Sequence, residues 1–245
     1  MGGYGTRTPS GLVVPSGYAI SDDALSPLDF APVLWLDASQ ESGADGAAIL
    51  PTDRSGNGVA ITQATEANRP TLEVGEIAGR NSFGWNGTSQ YLDVALSAAV
   101  LPVTMFAVVD MTSFAAARCF MATQTLNQGA VFRTTITNGN LVLTVDAASV
   151  TSTGVLVAGA VTVLAGRIAS DGTTGFWLNG AKDATTTAVA DTSPAAVNVR
   201  VGANGTPTQY MLGQMPELIR YHTLLTDADI VRLQQEYLMP KWGVA

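Results

Sequence analysis

Ala130-Val-Phe-Arg-Thr-Thr-Ile-Thr-Asn-Gly-Asn-Leu-Val-Leu-Thr-Val145 consists of two runs rich in β-branched and aliphatic residues, joined through Asn138-Gly139. Side chains of this kind suit a pleated, half-buried surface, and Asn-Gly readily takes the two positive φ values of a tight hairpin turn. The stretch therefore predicts two antiparallel strands, at 130–137 and 141–145. Outward from it the same grammar recurs. Runs at 33–36, 103–109, 161–168, 175–178, 197–201 and 217–221 read as further strands between clusters of Gly, Asn, Asp and Ser, and Asn179-Gly180 ends one of them as a second tight turn. Many short strands without intervening helices predict an all-β sandwich in which sequence neighbours pair antiparallel. Trp35, Phe106, Val108, Ile168, Trp177 and Ile219 are its expected core residues, and the nearly continuous run at 103–109 suits a strand buried on both faces.

One segment departs from this pattern. Thr226 can cap a helix, Asp227 and Asp229 suit the positive end of its dipole, and Ile230, Leu233, Tyr237 and Leu238 fall on one face. Pro240 is expected to stop it. A lone amphipathic helix after so many strands is expected to cover an edge or end of the sandwich.

Composition narrows the function. Hydrophobic residues are 47% of the 245 and charged residues 13%, so a large core is available and disorder is excluded. With 12 Lys+Arg against 20 Asp+Glu the net charge is -8 and the basic residues are scattered, which disfavours nucleic acid. Apolar runs fall short of the roughly 20 residues a membrane helix needs, and the N-terminus lacks the apolar core of an export signal. Cys119 is the single cysteine, which rules out an intrachain disulfide and predicts a buried, inert thiol.

Several strings, taken in order, resemble a known fold family. Trp35-Leu-Asp37-Ala-Ser, Asp53-Arg-Ser-Gly-Asn-Gly58, Gln63-Ala-Thr with Arg69-Pro70, and Phe83-Gly-Trp-Asn-Gly-Thr-Ser-Gln-Tyr-Leu-Asp93 look like the opening of concanavalin A-like and laminin-G-like jelly rolls of phage and bacterial proteins. Gly213-Gln-Met-Pro-Glu217-Leu-Ile-Arg-Tyr221, Leu225-Thr-Asp-Ala-Asp229 and Tyr237-Leu-Met-Pro-Lys241-Trp242-Gly are similar to the family's last strand and closing helix. The resemblance implies a two-sheet antiparallel jelly roll over residues 32–245, with one C-terminal helix. Its members include lectins, glycanases, adhesion modules and virion proteins, so it fixes a fold rather than an activity.

Residues 1–31, rich in Gly, Ser, Pro and Tyr, read as an extended arm. Its apolar islands cannot form a core of their own, so the expected partner-binding residues are Leu12, Val13, Val14, Tyr18 and Ile20, contacting a major capsid protein or sister subunits. With the resemblance, this suggests a phage capsid decoration protein, a homo-oligomer in the virion assembled in the host cytoplasm. The alternative is a carbohydrate-binding module of a tail or cell-surface assembly, recognising surface glycans.

Catalytic residues and cofactors are not expected. Glycanases of this general fold carry Glu-x-Asp-x-x-Glu on one strand, which this sequence lacks; Glu217 reads as a loop or edge partner of Arg220 or Lys241. His222, the only histidine, has no nucleophile elbow to serve and reads as structural. Asp53, Asn57, Asp93, Asp171 and Asp183 are loop groups of the type that binds calcium, but their spacing gathers them at no single point. Trp35, Trp85, Trp177 and Trp242 read as core or edge-sealing residues rather than sugar platforms.

Overall fold

A computed structural model describes residues 25–96, 101–124, 130–135, 138–145, 148–185, 187–189 and 198–245. Nearer the N-terminus it describes a backbone ladder in which Thr6–Arg7 pairs antiparallel with Val13–Val14. The strands are β1 Leu34–Asp37, β2 Thr71–Ile77, β3 Arg80–Asn86, β4 Leu92–Val94, β5 Val103–Met111, β6 Cys119–Thr123, β7 Ala130–Thr134, β8 Asn140–Val145, β9 Ala148–Val155, β10 Val161–Ile168, β11 Thr174–Leu178, β12 Val199–Val201 and β13 Leu212–Tyr221, with two-residue pieces at Ala47–Ala48, Ile61–Thr62 and Ala181–Lys182.

They form two antiparallel sheets. The smaller runs β9-β8-β7-β6-β12-β4 and ends on Ile61–Thr62. The larger runs from Ala181–Lys182 through β11-β10-β5-β13-β3-β2 to Ala47–Ala48, and β1 pairs with the second half of β13. Neighbouring strands pair as hairpins at β7-β8, β8-β9 and β10-β11, and Asn179 and Gly180 take φ of 47° and 77° in the turn after β11. The central pairings are long-range instead: β13, last in the chain, lies between β5 and the end-to-end strands β1 and β3. This is the expected jelly roll, with its first and last strands brought together at the middle of one sheet.

Alternation along β5 explains the two cores. Met105, Ala107, Val109 and Met111 face the smaller sheet, packing with Phe120, Phe132, Leu143 and Leu164. Phe106 and Val108 point the other way, into a second cluster with Val163, Trp177, Ile219, Ile230, Leu233, Leu238 and Trp242. Both faces of the run at 103–109 are therefore buried, as the sequence predicts. Of the six expected core residues, Phe106, Val108, Ile168, Trp177 and Ile219 are fully buried and Trp35 is half-buried.

The closing helix, α1, differs from expectation in two respects. It lies over the outer face of the larger sheet, not its edge or end, because Phe106, Val108 and Ile219 present an apolar strip there. It also runs past Pro240. Thr226 caps it in a capping box with Asp229, and it continues as α over Asp227–Arg232, as π over Leu233–Leu238 and as α over Met239–Trp242, closing on Gly243 at φ 68°. In the π stretch Met239 N–H bonds Gln234 five residues back, and this widened turn makes room for the proline ring that a regular α-helix would exclude. Beyond the helix, Leu25 and Phe30 also pack on this face, and the Tyr221 hydroxyl donates to the Pro27 carbonyl at 3.2 Å.

Candidate functional site

A bulge in β13 sets the chemistry of the outer face. Gln214 pairs with Asp110 and Glu217 with Val108, so three residues of β13 span two of β5. Residues three apart on a regular strand point to opposite faces; the extra residue turns both Gln214 and Glu217 outward. Pro216 sits in the bulge, where no ladder N–H is required of it. The outer face thus divides in two, with Glu217 under α1 and Gln214 beyond it.

Under α1 the polar groups around Glu217 are fully engaged. Glu217 is 1% exposed and its carboxylate accepts from four donors: Trp35 Nε1 at 2.7 Å, Tyr237 OH at 3.1 Å, Lys241 Nζ at 2.8 Å and Trp242 Nε1 at 2.6 Å. Lys241 also reaches the buried Asp37 carboxylate at 2.7 Å. Burial pushes the Glu217 carboxyl upward and Lys241 opposes it; the two indole N–H groups and the ammonium can only donate, so the carboxylate holds its charge. The cluster fastens α1 to β1 and β13 and has no free atom for a ligand. Glu217 is therefore the expected partner of Lys241, but it is a mid-sheet residue rather than a loop or edge one. Arg220, three residues on, points into the core and donates instead to His222 Nε2 at 3.1 Å.

The remaining sequence candidates are structural. Cys119 is buried and its thiol is pushed up to about 12. Trp85, Trp177 and Trp242 are buried. The five loop residues considered for calcium lie apart: Asp53 accepts from Trp35, Ser55 and Val59 backbone N–H groups, Asn57 bonds the Pro32 carbonyl, Asp93 pairs with Arg200, Asp171 caps Thr173, and Asp183 gathers Thr153, Gly154 and Thr185. The side chains of Leu12, Val13, Val14, Tyr18 and Ile20 lie outside the described residues.

Past α1 the same sheet face is open and polar. Asp110 follows Phe106 and Val108 on the outward side of β5, and its register partners continue across the sheet as Gln214, Gly84 and Thr71. Two joined clefts of about 390 and 320 Å³ lie over this row, sharing Thr112, Gly213 and Gln214. Glycine is required at two positions of this row and its neighbour. A methyl on Gly84 would meet Glu73 Oε1 and Thr71 Oγ1 at 2.7 Å, and one on Gly213, at φ 118°, would strike the Asp110 carbonyl.

Two groups here have unused hydrogen-bonding capacity. Gln214 Oε1 is buried without a partner, and the Asp110 carboxylate, pushed upward by desolvation, accepts no hydrogen bond among the described residues. A buried acceptor left unmade costs about 1–3 kcal/mol, and Gln214 Oε1 meets a ligand donor only when its side chain turns toward the cleft. A third cleft, of about 510 Å³ beside Tyr91 and Asp93 on the smaller sheet, differs in this respect. There Arg200 bonds Asp93 at 2.8 Å and stacks on the Tyr91 ring at 4.4 Å, while the Gln63 amide is held by Tyr91 and Thr65 backbone groups.

The sequence does not reveal this groove, because its row joins residues 71, 84, 110 and 214 through register alone. Its one local signal is Asp110, a carboxylate two residues beyond Val108 on the same face of an apolar strand.

Comparison with known proteins places the fold. The chain matches no family model and no curated protein sequence. Among solved structures it is similar to domain 4 of the extracellular arabinanase AbnA from Geobacillus stearothermophilus in complex with arabinotriose, at TM-score 0.64 and 16% identity over 83% of this chain and 98% of that one. A pentraxin from Limulus polyphemus follows at TM-score 0.54 and 16% identity, covering 62% and 80%. The ligand-binding domain of botulinum neurotoxin serotype D, in complex with N-acetylneuraminic acid, gives 0.59 and 13% over 85% of this chain, which spans about half of that domain. A Trypanosoma rangeli sialidase gives 0.60 and 14%, but this chain covers 36% of it. The protein is a jelly-roll sandwich of the concanavalin-like kind.

Proposed function

We propose that the protein is a carbohydrate-binding module that holds a saccharide in the groove over Asp110, Gln214, Gly84 and Thr71, without hydrolysing it. The observation that carries this reading is the unpartnered Asp110 carboxylate in an open polar cleft lined also by Gln214, Glu73 and Thr71, where the hydroxyls of a saccharide can donate to it. Support for the class comes from the fold, shared with the arabinotriose-bound arabinanase domain and the toxin domain in complex with N-acetylneuraminic acid. A binding role also suits the Asp37–Glu217 carboxylate pair, which is held by Lys241 under α1. No feature of the described residues supports the capsid-decoration reading, whose arm contacts lie outside them.

The test is calorimetric titration with a panel of defined oligosaccharides. At least one should bind the wild-type chain, and Asp110→Asn combined with Gln214→Ala should weaken it at least tenfold while the melting midpoint stays within a degree or two. Wild-type affinity in the double variant, or no saccharide bound at millimolar concentration, would refute the assignment.

A further inference from the structure

We propose that the chain forms a two-fold dimer by antiparallel pairing of β9 with the β9 of a second copy. Among the described residues β9 is the one long edge strand: it ends the smaller sheet, whereas the other ends of the two sheets are the two-residue pieces Ile61–Thr62, Ala47–Ala48 and Ala181–Lys182. An edge strand directs a row of backbone N–H and C=O groups away from its sheet, and folded chains blunt such rows with charge, proline, a bulge or a cover. β9 is blunted over one half only. It bulges against β8, where Asn140 pairs with Val155 but Val142 with Thr151, and beside this bulge the Asp183 carboxylate accepts from the Thr153 and Gly154 N–H groups at 3.0 and 2.7 Å. From Ala148 to Ser152 none of the described residues pairs with the strand's outer side. Residues 147–166 contain no charged side chain and no proline, so the open half lacks those devices as well.

A second copy of this chain is the partner that fits. A strand that pairs antiparallel along its own edge meets its two-fold image, so the contact is self-complementary and closes at two copies. The net charge of -8 opposes self-association, and a charge-free edge lets two copies meet without placing like charges together. With the axis at Val150, exposed Ser149 of one copy lies opposite exposed Thr151 of the other, a hydroxyl pair of the kind favoured across strands. The covered Thr153 and Gly154 then fall beyond the end of the paired segment, so Asp183 does not obstruct it. Such an axis stands perpendicular to the joined sheet and keeps each face on its own side. The outer faces of both larger sheets, with their Asp110 clefts, therefore open in the same direction and can engage one surface together. The dimer itself does not depend on what those clefts hold.

Sedimentation equilibrium of the full chain at micromolar concentration tests the inference. The wild type should show twice the single-chain mass. Thr151→Lys and Thr151→Glu each place two like charges beside the axis, so each alone should show the single-chain mass with a melting midpoint near that of the wild type. An equimolar mixture of the two should recover the dimer. Thr62→Lys, at the opposite edge of the same sheet, should remain dimeric. In the wild type, amide exchange over Ala148–Ser152 should slow as concentration rises through the monomer–dimer range. A wild type that stays single at every concentration overturns the inference and leaves the edge to an extended segment of another protein. A dimer that persists in both Thr151 variants, one lost equally in Thr62→Lys, a mixture that stays monomeric, or exchange that ignores dimerisation assigns the contact to another surface and also overturns it.

Discussion

Asp110 and Gln214 are register partners on the two central strands of the larger sheet, and both point away from the core at the place where α1 stops covering it. Their position follows from a single inserted residue. Without the bulge at Met215-Pro216, regular alternation could not place Gln214 and Glu217 on one face, and the sheet could not carry a locked polar cluster and an open polar groove side by side.

The locked cluster should dominate the stability of α1. Glu217→Ala leaves two indole N–H groups without their acceptor and the Lys241 ammonium with Asp37 as its one carboxylate, and removing one partner of a buried pair costs on the order of 3–5 kcal/mol. Glu217→Gln keeps an acceptor oxygen and should cost less. Urea denaturation should rank wild type above Gln above Ala; an Ala variant as stable as wild type would mean the cluster contributes nothing net.

Tyr237→Ala should cost on the order of 3 kcal/mol, because the ring packs edge-on to Trp35 at 6.4 Å and its hydroxyl donates to Glu217. Thermal melting measures this, and an unchanged midpoint would make the helix peripheral to the fold.

His222 should make stability fall in mild acid. Desolvation, aided by the Arg220 charge, lowers it from the usual 6.5 to about 4 in the folded chain. Above about 6.5 the imidazole is neutral in both states; between there and about 4 only the unfolded chain takes up the proton, so stability is lost as pH falls through that window. His222→Gln, which retains an acceptor for Arg220, should flatten the dependence of melting temperature on pH between 7 and 4.5. An identical slope in the variant would remove His222 from the account.

The groove should be sensitive to its floor. Gly84→Val places methyl groups where Glu73 and Thr71 now fold over the backbone, so saccharide affinity should fall at least tenfold with a modest change in melting temperature. Unaltered binding in a folded Gly84→Val variant would place the ligand elsewhere.

What the sequence makes legible is what depends on neighbours in the chain. The Thr226 cap, the Asn179-Gly180 turn and the doubly buried run at 103–109 are local, and each is found as read. Pro240 misleads because a π turn, set by packing against the sheet, overrides its local meaning. Glu217 is read only in part: Lys241 is one of the two partners expected for it, while Asp37, Trp35 and the burial beneath α1 depend on tertiary pairing. The groove was not legible, because four strands distant in sequence must be in register before Asp110, Gln214, Gly84 and Thr71 become neighbours.

Turnover should be absent. Incubation of the protein with any saccharide it binds should return that saccharide intact by mass spectrometry; release of new reducing ends that disappears in Asp110→Asn would turn the groove into an active site.

The most direct test of the central claim is a crystal structure of the protein with a bound oligosaccharide. The sugar should lie across β5, β13 and β3, with a ligand donor within hydrogen-bond distance of Asp110 and a ring beside Gln214 and Thr71. A sugar seated instead beside Tyr91 and Asp93 on the smaller sheet, with the Asp110 groove empty, would contradict it.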